Sequence, residues 1–110
     1  MTDGRFAEGQ IVTVFRSRLR DDADAGYLSL DEEMRTRAAS LGGLIEVKSF
    51  GSEDGERVTI VTFADRESHD RWAHDPVHAD AQRFGREAVY ATYSIQVGDC
   101  IRAVEFDASV

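Results

Sequence analysis

The sequence is short of several things, and each shortage narrows what the protein can be. One cysteine, Cys100, occurs in 110 residues, so no disulfide can form within the chain. A lone cysteine of this kind is expected as a small buried hydrophobe and not as a reactive thiol. No apolar run approaches the roughly 20 residues of a membrane-spanning helix. The first ten residues, MTDGRFAEGQ, lack the apolar segment of a secretion signal. A cytoplasmic protein with a loose N-terminal arm over residues 1–9 is expected. Positive charge is scarce too: 13 Lys and Arg stand against 21 Asp and Glu, a net charge of −8. The longest basic cluster, Arg16-Ser17-Arg18-Leu19-Arg20, runs straight into Asp21, Asp22 and Asp24. A nucleic-acid groove or an anionic membrane surface would need clustered positive charge that this chain does not have.

What is present suits a single domain over residues 1–110 with a core at 10–106. Gln10–Arg20 is β-branched and apolar, and apolar residues fall on both alternating sets, which predicts a strand covered on both faces. Asp21–Asp24 offers helix caps. Tyr27, Leu30, Met34, Ala38 and Leu41 then recur at steps of three and four, one stripe of a helix ended by Gly42-Gly43. Leu44–Phe50 is a second strand, Ser52–Gly55 a hairpin turn, and Arg57–Ala64 a third strand. Asp65 caps a short helix to His74. Asp75-Pro76 caps another that runs from Val77 to about Val89. A long last strand is expected from Thr92 to Phe106, bent at Gly98-Asp99.

The order β-α-β-β-α-β with right-handed crossovers predicts an α+β, ferredoxin-like fold: a four-stranded antiparallel sheet with helices on one face. Helices cover only that face, yet the strands are apolar on both. A second copy packed sheet to sheet would bury the other, giving a homodimer.

The stretch Arg71–Gln82, RWAHDPVHADAQ, concentrates the unusual residues: the only Trp, the only Pro and two of three His. His74 and His78 have the spacing of a helical metal pair, but Pro76 lies between them and opens a helix instead of continuing one. No third ligand stands out, so no metal site is expected. Beyond Pro76, steps of four give His78, Gln82, Arg86 and Tyr90, with Tyr93 a little further on. Val77, Ala81, Phe84 and Ala88 form the neighbouring apolar face and are expected to pack on the sheet. The polar stripe is either a pocket wall or a solvated flank. Trp72 reads as a core plug, and His69, between Ser68 and Asp70, reads as exposed.

Trp72, His78, Ala81-Gln82, Gly85-Arg86, Tyr90 and Tyr93 together fit the pattern W-x5-H-x2-AQ-x2-GR-x3-Y-x2-Y. In this the chain resembles the antibiotic biosynthesis monooxygenase family, across roughly residues 10–106. The resemblance implies a dimeric α+β barrel with a ligand pocket in each subunit between sheet and helices. Some relatives oxygenate polyketide-like phenols to quinones without metal or flavin, and others degrade haem. The haem branch uses an Asn on the first strand and a His ten residues after the Trp. Here the first strand has no Asn, and the tenth residue after Trp72 is Gln82. Haem would have to bind through His78 instead.

The quinone-forming chemistry asks less of the residues. A deprotonated electron-rich phenol can pass an electron to O2 unaided, so the protein must bind the ring, favour the anion and exclude water. Trp72, Phe15, Tyr90 and Tyr93 are the expected aromatic slot. His78 is the expected base, with Arg86 and Gln82 stabilising the oxyanion. The expectation is a cofactor-free monooxygenase of a small aromatic. The alternatives are the same barrel holding a ligand without turnover, or a haem protein.

Overall fold

The computed structural model describes residues 5–109, and residues 1–4 of the expected arm lie outside them. Its elements are β1 (Ile11–Leu19), α1 (Asp24–Leu41), β2 (Leu44–Gly51), β3 (Arg57–Phe63), α2 (Arg66–Ala73), α3 (Pro76–Phe84), a π-helical turn (Gly85–Val89) and β4 (Tyr90–Asp99). All pairings are antiparallel and the strand order is β2-β3-β1-β4. This is the predicted ferredoxin-like α+β arrangement.

Register sorts the side chains. Thr13 lies opposite Val61 and Val97, and Phe15 opposite Thr59 and Ile95. These point toward the helices, since they share a cavity with helical residues. Alternation sends Val12, Val14, Val58 and Ile60 to the other face. On the helical side, Ala23, Tyr27, Leu30, Ala81 and Val89 form a buried cluster, with Leu19, Met34 and Tyr90 against it. Three members of the predicted α1 stripe, Tyr27, Leu30 and Ala38, are buried. The expected acidic cap of α1 is not used: Ala23 occupies the N-cap without a side-chain bond.

Two segments depart from expectation. The last strand starts at Tyr90 and ends at Asp99, so residues 100–106 are not strand. Asp99 pairs with Ile11, the first residue of β1. Beyond Cys100, whose N–H donates to the Gln10 carbonyl at 2.8 Å, β1 offers no further partner and the ladder stops. Cys100 itself is only half-buried. Within the described part of the expected arm there are local contacts. Gly9 donates to the Cys100 carbonyl, and Gln10 bonds Arg5 and Ala7.

The second departure is the apolar face of α3. Ala81 is buried, but Val77 and Phe84 are exposed, as is Ala88. The inward line is Ala81, Gly85 and Val89. The π turn adds a residue to the last turn, closed by the Tyr90 N–H donating to the Gly85 carbonyl. That rotates later residues relative to an unbroken helix.

Candidate functional site

A cavity of about 280 Å³ lies between the sheet and the helices, near the lower end of the roughly 300–1,000 Å³ typical of small-molecule sites. Six of the seven predicted site residues line it: His78, Gln82, Trp72, Tyr90, Tyr93 and Phe15. Arg86 does not. It is exposed, and its guanidinium donates to the Tyr93 hydroxyl at 3.3 Å. The π turn that brings Tyr90 inward carries Arg86 to the rim.

The RWAHDPVHADAQ segment is built around one carboxylate. Asp75 is the N-cap of α3: its side chain accepts the His78 N–H at 3.0 Å, and Pro76 takes the first helical position. Pro suits that position because no partner exists there for its missing N–H. Asp75 is itself buried and gripped by the Arg37 guanidinium at 2.6 and 3.0 Å. The Arg37 hydrogen bond is the main reason its pKa falls to about 2.

The turn between α2 and α3 folds His78 back onto Trp72. Their rings stack at 3.7 Å with an 18° interplanar angle. His78 Nδ1 lies 3.0 Å from the Trp72 carbonyl. A carbonyl only accepts, so Nδ1 carries the proton and Nε2 keeps its lone pair. Burial is the largest influence on the ring and depresses its pKa below 6.5, with the Trp72 bond and Asp75 opposing. His78 is therefore a neutral imidazole of fixed tautomer on the cavity wall.

The facing wall is aromatic. Phe15 meets Tyr90 edge-on at 5.3 Å and Tyr93 at 5.5 Å, and Tyr90 and Tyr93 are 5.9 Å apart. Burial pushes the Tyr90 phenol up to about 12, so it stays protonated. Gly85 makes room for that ring: a Cβ there would come within 2.8 Å of Tyr90 Cε2.

At the α1 end, Arg35 is bound to Asp31 at 2.8 Å, to Ser49 Oγ at 2.7 Å and to the Val47 carbonyl. The lining charge is thus paired internally, which suits a neutral ligand better than a carboxylate or phosphate. Thr13 also lines the cavity, with a buried hydroxyl lacking a protein partner. Among the described residues no group of three or more His, Cys, Asp or Glu is placed to hold a metal ion.

Sequence reading missed His69. Its polar neighbours suggested exposure, but it is largely buried, lines the cavity and meets Phe63 edge-on at 6.1 Å. The available signal was spacing: His69, Trp72 and Ala73 lie three and four apart, on one face of α2.

Comparison with known structures supplies the frame for this site. SnoaB of Streptomyces nogalater, a cofactor-independent oxygenase, superposes with a TM-score of 0.72. It is 16% identical, over 89% of this chain and 98% of its own. Rv0793 of Mycobacterium tuberculosis gives 0.70 at 20% identity, over 90% and 98%. A Caulobacter crescentus CB15 protein, provisionally named an antibiotic biosynthesis monooxygenase, gives 0.73 at 12% identity, over 86% and 92%. The fold is that of the antibiotic biosynthesis monooxygenases. No family model matches the sequence. Among curated proteins, the uncharacterized YqjZ of Bacillus subtilis (strain 168) is 29% identical over 84 residues, 76% of this chain and 74% of its own. In this fold the cavity occupies the space between helices and sheet, where the family resemblance places a pocket. Among the described residues no helix is long and apolar enough to cross a membrane.

Proposed function

We propose that this chain is a cytoplasmic, cofactor-independent oxygenase that acts with O2 on a small, neutral phenolic aromatic. The observation that carries the reading is the neutral, tautomer-fixed His78 stacked on Trp72 in a cavity whose other wall is aromatic. The substrate ring lies against the Phe15–Tyr90–Tyr93 wall. His78 Nε2 accepts the acidic substrate proton, and the resulting electron-rich anion reduces O2 directly. Gln82, half-buried in the lining, hydrogen-bonds the oxyanion. Arg86 acts through Tyr93, holding its hydroxyl at the rim, and is a positioning residue. SnoaB, of the same fold, is a cofactor-independent oxygenase, which supports the same class of chemistry here.

The active form in this reading is a homodimer. The sheet face away from the helices carries Val12, Val14, Val58 and Ile60, and Phe50 on that face is 49% exposed. Ile101, Val104 and Phe106, beyond β4, are each more than 70% exposed. Apolar surface of this extent marks an association site. The expected mass in solution is twice the 12.2 kDa of the chain, and a monomer by light scattering would refute the dimer.

Anthrone serves as the test substrate, monitored as O2 uptake and anthraquinone formation with chelator-treated protein. His78→Ala is expected to lower turnover roughly a hundredfold or more, the scale of a lost general base. An unchanged rate removes His78 from that role. Binding of anthrone without O2 uptake would make the protein a ligand-binding module. A Soret band on adding haem, lost in His78→Ala, would make it a haem protein.

A further inference from the structure

The cavity holds a second imidazole that the oxygenase scheme leaves idle. His69 sits on α2, one helical turn before Trp72, and its side chain is only 15% exposed. Its Nδ1 lies 2.9 Å from Asp70 Oδ1. An ionised carboxylate can only accept, so Nδ1 carries the proton, and Nε2 is the nitrogen left for a ligand. The fully buried Phe63 holds the ring edge-on. His78 is prepared in the same way by a different acceptor, the Trp72 carbonyl. Two imidazoles on consecutive helices thus each keep one nitrogen uncommitted in the same small space. They also sense each other, since charge on His69 pushes the pKa of His78 down. Asp70 is 48% exposed, so the His69 end of the pair meets solvent and can be recharged from it.

We propose that His69, oriented by Asp70, is the second proton-transfer residue of this site, delivering a proton to oxygen while His78 removes one from the substrate. The proposal rests on the oxygenase reading. The substrate it requires has two removable hydrogens on the reacting carbon or its oxygen tautomer. His78 Nε2 takes the first proton. The substrate's electron pair forms a C–O bond to O2, which is reduced to a bound peroxide anion. His69 enters this step as an imidazolium whose Nδ1–H is held by Asp70, gives its Nε2 proton to the distal oxygen and becomes neutral, leaving a hydroperoxide. The second proton then leaves the carbon and its electron pair becomes the C=O bond. The O–O bond breaks, and the distal oxygen departs as hydroxide that combines with that proton as water. His78 ends with one proton more and His69 with one fewer, and exchange with solvent resets both. The sum is substrate plus O2 giving ketone or quinone plus water.

The test is His69→Gln in the full chain with anthrone, beside Asp70→Asn as the milder variant that keeps the imidazole. His69→Gln is expected to slow anthraquinone formation about a hundredfold. Anthrone binding should hold within about twofold, and the ratio of released hydrogen peroxide to anthraquinone should rise. Without the proton donor, reduced oxygen escapes before the O–O bond breaks. Asp70→Asn is expected to shift the same ratio in the same direction by a smaller factor. A wild-type rate and peroxide ratio in His69→Gln would overturn the proposal. So would a slower rate accompanied by weaker binding and no peroxide, the signature of a merely structural role. Wild-type protein that consumes no O2 with anthrone would end the oxygenase reading and this proposal together. Active wild type with an unaltered His69→Gln would end this proposal alone.

Discussion

The two ends of the sheet-and-helix sandwich are finished to different degrees. Around α2 and α3, the helix caps and both cavity histidines have partners. Asp65 caps α2 in a reciprocal box with Ser68, Asp75 caps α3 and binds Arg37, and both cavity histidines have one nitrogen bonded. Along β4 and the residues after it, apolar side chains meet solvent: Tyr93, Ile95 and Val97 are 36–52% exposed, and Phe106 is 88% exposed. β4 is an edge strand, paired only with β1. Unpaired backbone and bare apolar side chains on one strand invite another chain. The difference suits the proposed dimer: one chain finishes the α2–α3 side of the cavity, while β4, whose Tyr93, Ile95 and Val97 line the same cavity, is left open.

The closed region can be broken at Gly43, between α1 and β2. Its φ is +80°, and a Cβ there would lie 2.2 Å from Ser68 Cβ, the buried side chain in the α2 cap. Ser68 is part of the reciprocal box and cannot swing away without losing it. Gly43→Ala is expected to destabilise by about 3 kcal/mol, from left-handed backbone strain and overpacking combined. That corresponds to a fall in Tm of about 10 °C or more. A Tm within about 2 °C of wild type would show that α2 has slack this close packing does not suggest.

The open region can be sharpened at Phe106. Phe106→Asp replaces an apolar side chain that lies almost wholly in solvent, so the monomer's fold is not expected to change. The expected cost falls on association: dimer dissociation rises about tenfold or more, the scale of a truncated interface anchor. Sedimentation at falling concentration reads this directly. An unaltered dimer would place the interface on the Val12–Ile60 face alone.

The same contrast explains what was legible in the sequence. The βαββαβ order could be read because each strand and helix carries its own periodicity and its own stop signal. Asp75-Pro76 marked the start of α3 because capping chemistry is local. The phase of α3 beyond Ala81 could not be read. Ala88 looked like core in an ideal helix, but the π turn at Gly85–Val89 re-aims the residues within and beyond it, while Val77 and Phe84, on the regular helix before that turn, are exposed. That turn depends on packing: Gly85 leaves space that the Tyr90 ring fills. His69 was missed because neighbours in sequence, Ser68 and Asp70, do not report that Phe63 covers the ring from another element. The end of β4 depended on where β1 begins, a fact of pairing and not of residues 100–106. Six of the predicted site residues share a cavity because helix and strand periodicity set their directions. Arg86 fell outside it because it sits inside the re-aimed turn.

The smallest effect expected is a pH dependence of stability in two steps, the upper one from His78 and the lower one from Asp75 together with Asp54 in the β2–β3 turn. His78 in the folded chain titrates below the 6.5 of a free imidazole, mainly because burial disfavours its charged form. Between its folded pKa and 6.5 the unfolded chain binds more protons, so stability rises with pH there. The contribution is complete above 6.5 and is lost as pH falls toward the folded value. Asp75 is lowered from 3.8 to about 2, chiefly by Arg37. Its contribution is present above 3.8 and is lost as pH falls to about 2. Both steps therefore run the same way, loss on acidification, in separate windows. Thermal melts over roughly pH 8 to 2.5 are expected to show a shallow decline starting near 6.5 and a second one below about 4. His78→Gln should flatten only the first, whereas Asp75→Asn should weaken the second, which Asp54 shares, and widen the first, because the Asp75 charge raises the His78 pKa. Turnover should share the upper window, because a protonated His78 has no lone pair for the substrate proton. If stability were flat through the upper window while turnover fell, His78 would be solvated in the folded state. The stack on Trp72 would then not be what keeps it neutral.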